Sequence, residues 1–245
     1  MGAYAQNSVG FRSTTLLGAT PVVSGGGFPS ATLTAHWTMD EAAGSRTDNK
    51  ASIVLVTTNS GPAQVSGKIS NAAGFTAASG HGLFCGDKAE LSFGAESFTI
   101  NVWVNLTTVT TLGTIVQKGA ANASCQYYVE YLNGDGHFSF YVADSGSAHS
   151  AKIVSTVTTA TGGWHMITAT HRQGSNIGIQ IDNGTEDTTA YTFGCFDDSG
   201  IFTVGADENI FFLDAAIDEL SVFRSALSSG DRTTLWNSGA GLTYP

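Results

Sequence analysis

Residues 97–106 read SFTINVWVNL, with Phe98, Ile100, Val102, Val104 and Leu106 alternating against Thr99, Asn101, Trp103 and Asn105. A period of two is that of a strand with one face on a core and the other toward water, as in an antiparallel sheet. SNIGIQI at 175–181 repeats the pattern with Ile177, Ile179 and Ile181 and runs into Asn183-Gly184, a strong hairpin signal. YYVEYLNGDGHFSFYVAD predicts two strands around Asn133-Gly134-Asp135-Gly136. Further apolar stretches predict strands over 33–39, 69–76, 112–118, 151–156, 164–171, 188–193, 200–205 and 215–224. The one helix signal lies near the end, where Ser228 and Asp231 make a capping box and Gly239 occupies a C-cap position. Short strands, Gly-rich turns and little helix predict an all-β, two-sheet antiparallel sandwich or jelly roll in a single domain over 34–245. Residues 1–33 carry a Gly triplet and two of the four prolines without periodicity, and predict an arm or linker for assembly or docking.

Composition narrows the partners. Charged residues are 12% of the chain and the net charge is −10, which disfavours a nucleic-acid or anionic-membrane surface. No run approaches the ~18 apolar residues of a membrane span, and the start MGAYAQNSVGFRSTT has no apolar h-region, so no signal peptide is expected. Cys85, Cys125 and Cys195 show no C-x-x-C spacing and predict free, buried thiols. The six histidines lack zinc-motif spacing, and no Gly-x-Ser-x-Gly elbow or phosphate loop occurs.

Five stretches in order, AHWTMDEAAGSRTDN (35–49), GKISNAAGFTA (67–77), SFTINVWVNL (97–106), GGWHMITATHRQGSNIGIQIDNGTE (162–186) and AAIDELSVFRSALSSGDRTTLWNSG (215–239), resemble the landmarks of laminin-G-like, concanavalin A-like jelly-roll domains. The resemblance implies two antiparallel sheets of about six or seven strands, with the first and last strands side by side. It thereby brings Asp40, Glu41, Asp218 and Glu219 toward one sheet edge. A structural calcium at Asp40 and Asp218, with Glu41 and Glu219 as helpers, is one expectation. The other is that these carboxylates accept hydrogen bonds from loop amides or pair with Arg46 or Arg224.

The family includes retaining glycoside hydrolases, whose two carboxylates stand about 5 Å apart on a Glu-x-Asp-x-(x)-Glu strand. No such run occurs here, so a non-enzymatic domain is expected. Carbohydrate recognition by an aromatic ring and a few polar groups then points to Trp103, to Tyr127, Asn133 and Asp135 near a hairpin, with Tyr128 beside them, and to Asp207 and Asn209 in a late loop, with Asp197, Asp198 and Glu208 nearby. The arm, with no disulfides and no signal peptide, suggests a bacteriophage virion protein assembled in the host cytoplasm, docking on other virion proteins through residues 1–33 in an oligomeric assembly. An extracellular protein is the alternative. The expected role is a surface-displayed adhesion or decoration module binding host or environmental carbohydrate, or a structural decoration without a ligand.

Overall fold

A computed structural model describes residues 27–119, 125–145, 148–196, 199–207 and 210–245. The strands are β1 (Leu33–Trp37), β2 (Arg46–Thr47), β3 (Val54–Thr58), β4 (Ala63–Ser66), β5 (Asn71–Phe75), β6 (Gly82–Cys85), β7 (Phe98–Leu106) and β8 (Gly113–Lys118). They continue with β9 (Tyr127–Tyr131), β10 (Phe138–Ala143), β11 (Ser150–Val154), β12 (Trp164–Arg172), β13 (Ser175–Ile181), β14 (Asp187–Tyr191), β15 (Phe202–Val204) and β16 (Ala215–Phe223). One sheet runs β14-β13-β12-β7-β16-β5-β4 with β1 also on β16; the other runs β11-β10-β9-β8-β15-β6-β3-β2, so each has eight strands. All pairings are antiparallel, and β1 lies beside β16 as the family resemblance implied.

The inward residues of β7 (Phe98, Ile100, Val102, Val104 and Leu106) pack with Tyr127, Val129, Phe138, Phe140 and Val142 of the facing sheet in one continuous core. Trp37 of one sheet stacks on Phe202 of the other, with ring centroids 5.8 Å apart. All three cysteines are buried, and none is in a disulfide. Residues 1–26, most of the expected arm, lie outside the described residues. Phe28 already packs against Phe223 and Tyr244.

The outward face of β7 departs from the sequence expectation. Thr99, Asn101 and Trp103 are buried, not solvated. A second apolar cluster covers them: Trp103, Met166, Phe223, Leu227 and Leu235, with Phe28, Trp164, Trp236 and Tyr244 against its edge. Helix α1 (Ser229–Trp236) brings these residues over the sheet. Ser228 and Asp231 form the predicted capping box, but the helix closes at Asn237 in the left-handed region, two residues before Gly239. Arg232 from the helix and Arg172 from β12 both pair with Glu186, fastening helix to sheet. Among the described residues, no such helix packs on the outward face of the second sheet.

The hairpin between β13 and β14 also turns one residue early. Asp182 and Asn183 take positive φ, and Gly184 closes the turn by donating to the Ile181 carbonyl.

Candidate functional site

A β-bulge accounts for the two carboxylates inside the apolar strand β16. Its register against β7 shifts between Asp218 and Ser221, and Glu219 has φ +50°. At the same point the other edge of β16 passes from pairing with β5 to pairing with β1. Asp218 Oδ2 accepts the amides of Lys68 and Ile69 at 2.8 and 2.9 Å, closing the turn before β5. Asp40 Oδ1 accepts the Asn71 amide from the far end of that turn at 2.7 Å. Glu219 meets His36 of β1, with Oε2 3.0 Å from Nε2, while His36 Nδ1 lies 2.8 Å from Ser221 Oγ. Glu41 accepts the Thr47 amide and stands 3.5 Å from Arg46 Nε. Ser221, His36 and Glu219 are linked as in a nucleophilic triad, but all are buried, leaving no nucleophile open to a substrate.

Burial pushes the Asp218 carboxyl up to about 8; the Glu219 charge adds to this while the Lys68 and Ile69 amides oppose it. Calcium takes six to eight oxygen ligands. Although Asp218 Oδ1 and Glu219 Oε1 find no hydrogen-bond partner among the described residues, no group of three or more acidic, histidine or cysteine side chains among them is disposed to share an ion. The hydrogen-bonding expectation describes the contacts that Asp40, Glu41 and Asp218 make. A chelator is expected to leave the melting temperature unchanged; a fall reversed by calcium would overturn this reading.

Of the residues expected to bind ligand, Trp103 and Tyr127 do not reach the surface. Trp103 is 1% exposed beneath Trp236, and Tyr127 is 0% exposed with its hydroxyl on the Leu91 carbonyl. Tyr127 is an inward position of β9, so the alternation exposes Tyr128 instead. Asn133 and Asp135 sit in the exposed β9–β10 turn, where Asp135 accepts the His137 amide. Asp207 is buried beside the open sheet face. Asn209, Asp197, Asp198 and Glu208 lie outside the described residues.

The open face is organised by register. Directly paired residues of antiparallel strands share a face, and pairing links Lys152, Tyr141, Tyr128, Gln117, Thr203, Phe84 and Val56 across seven strands. A second row runs Val154, Ser139, Glu130 and Thr114. Tyr128 and Tyr141 stack at 4.7 Å with their planes 6° apart, and the Lys152 ammonium lies 5.6 Å from the Tyr128 ring. Lys152 Nζ also donates to Glu130 Oε1, which accepts the Ser139 hydroxyl at 2.8 Å. Gln117 Nε2 donates to Asp207 Oδ1 at 2.9 Å. Burial, reinforced by the Glu130 charge, raises the Tyr128 phenol well above its ordinary range and keeps it a protonated donor. Burial raises the Asp207 carboxyl too, against the Gln117 hydrogen bond.

The arrangement offers aromatic surface, a phenol donor and one cation, while Gln117, Glu130, Ser139 and Asp207 are buried and bonded to their neighbours beneath. A larger groove of about 640 Å³ on the other sheet, near Ala63, Val65, Gly74, Asn105 and Ala216, has no ionisable wall, and its one aromatic, Phe75, is buried. Position 128 was within reach of sequence reasoning as the outward member of the Tyr127-Tyr128 pair. Nothing in the sequence announced that Gln117 and Thr203 would fall in the same row.

The fold is shared with several solved structures. The binding domain of Paraclostridial Mosquitocidal Protein 1 superposes with a TM-score of 0.67 at 15% identity, covering 85% of this chain and 52% of that one. Domain 4 of AbnA, a GH43 extracellular arabinanase from Geobacillus stearothermophilus solved with arabinotriose, gives 0.65 at 20%, covering 82% and 97%. The binding domain of botulinum neurotoxin DC in complex with SialylT gives 0.63 at 13%, covering 85% and 52%. The chain thus spans about half the length of the toxin binding domains and nearly all of the arabinanase domain. A search of curated proteins finds no match. A laminin-G-type family model, described as the concanavalin A-like lectin/glucanases superfamily, matches residues 86–231, more than half of the chain. This chain belongs to the concanavalin A-like lectin/glucanase superfamily.

Proposed function

We propose that the domain is a non-catalytic carbohydrate-binding module whose ligand lies on the open sheet face. The carrying observation is the half-buried Tyr128–Tyr141 stack with the Lys152 ammonium, 38% exposed, beside it. A sugar ring has an apolar face of C–H groups suited to an aromatic ring, and hydroxyls suited to amides and carboxylates. The arabinotriose and SialylT bound by domains of this fold support the reading. Residues 1–26 lie outside the described structure, and the virion setting expected from them carries no part of it.

Tyr128→Ala in the full chain is expected to weaken glycan binding about tenfold, since stacking is worth about 0.5–1.5 kcal/mol beyond area burial and tenfold is 1.4 kcal/mol. Titration of the wild type and the variant with a glycan found on an array checks this. Failure of the wild type to bind any glycan, or unchanged affinity in the variant, would sink the proposal.

A further inference from the structure

The same row of residues passes from the tyrosine stack into a hollow of different character. Beyond Gln117 the next positions are Thr203 and Phe84, and between β3, β6 and β15 lies a hollow of about 240 Å³. Its walls are Thr58, Leu83, Phe84, Ile201, Thr203 and Ala206, without a charged side chain. The space exists because position 82 is glycine: a Cβ there would stand 2.9 Å from Thr58 Oγ1 and 3.1 Å from Ala206 Cβ. One polar side chain of its wall is unsatisfied. Thr203 is 5% exposed, and its Oγ1 finds no hydrogen-bond partner among the described residues. A buried hydroxyl left unpaired costs about 1–3 kcal/mol, so a group that both fills the hollow and pairs with this hydroxyl is favoured twice.

The chemistry of that group follows from the walls. It is uncharged, because no ion faces it to pair with a charge taken out of water. It is small, with an apolar end for Phe84, Ile201 and Ala206 and a polar end for Thr203. It also belongs to the ligand of the tyrosine stack: strands stand about 4.8 Å apart, which puts Thr203, two strands away, roughly 10 Å from Tyr128. We propose that the hollow receives the acetamido group of an N-acetylated sugar whose glycan continues onto Tyr128 and Tyr141. The methyl lies against Phe84, Ile201 and Ala206, and the amide pairs with Thr203 Oγ1. This rests on the carbohydrate reading above and names its ligand class.

The test is an array of glycans with and without acetamido groups, probed with the full chain. Titration follows with the best-bound glycan and with the same oligosaccharide carrying a hydroxyl in place of the acetamido group. Acetamido glycans are expected to rank first, and the hydroxyl form to bind about tenfold more weakly, the effect of one well-placed group. Thr203→Val keeps the shape and removes the unpaired hydroxyl, so the fold tolerates it. It is expected to weaken the acetamido form several-fold and leave the hydroxyl form unchanged, whereas Tyr128→Ala weakens both. Equal binding of the two forms, or indifference to Thr203→Val while Tyr128→Ala still weakens binding, overturns the acetamido assignment and spares the carbohydrate reading. Silence across the array overturns both.

Discussion

Trp103→Ala is expected to destabilise the domain by about 3–5 kcal/mol, the usual cost of emptying a large buried aromatic site, without weakening glycan binding wherever the protein stays folded. The indole is 1% exposed, stacks on Trp236 with centroids 5.3 Å apart, and carries the Lys68 ammonium 4.5 Å from its ring. Its removal opens a void beneath α1 and leaves Trp236, Met166 and Leu235 without their shared partner. Against a total stability of about 5–15 kcal/mol this is a large fraction. Urea unfolding of the wild type and the variant measures the loss, and glycan titration at low temperature measures the rest. Binding lost with stability retained would return Trp103 to the list of sugar-contacting residues.

The second large effect concerns pH. Burial, seconded by the Glu219 charge, raises the Asp218 carboxyl in the folded protein to about 8, from about 3.9 in an unfolded chain. The folded state therefore holds a proton that the unfolded state releases, and stability falls as pH rises through this window. The contribution of the neutral acid is complete below about pH 4 and gone above about pH 8. Asp218→Asn keeps an oxygen for the Lys68 and Ile69 amides and removes the titration. It is expected to match the wild type near pH 4 and to exceed it by several kcal/mol at pH 9. Urea midpoints taken from pH 4 to 9 decide the matter. Parallel profiles for the two proteins would mean that Asp218 is ionised throughout.

Much of this fold could be read from residue periodicity, and the failures have physical causes. β7, β12, β13 and β16 carry long alternating runs, and their observed bounds fall within a residue or two of the expected ones. β4, Ala63–Ser66, is a four-residue edge strand without a buried position, too short for its Ala63–Val65 alternation to stand out. β3 lies in the run VLVTT, where no apolar–polar alternation shows, because Val54 and Val56 point outward on either side of Leu55, its one buried apolar residue. Trp103 misled for a different reason. The period of β7 correctly assigned it to the outward face, but whether that face meets water depends on α1, which comes more than 120 residues later. The adjacent tyrosines show the same limit at shorter range: alternation separates Tyr127 from Tyr128, yet the partners of Tyr128 are set by the register of three other strands.

Phe28 and Tyr244 meet edge to face at 5.5 Å on the covered side of the sandwich. Tethers attached just before residue 27 and just after residue 245 would leave the domain from neighbouring points. A mechanical load applied between them would pull first on this aromatic clasp and on the β1–β16 seam behind it, and no line of force would have to cross to the sheet bearing Tyr128. A cargo or surface joined at either end would therefore hold the domain by its back, with the tyrosine face turned outward and free to engage while the anchor is under strain.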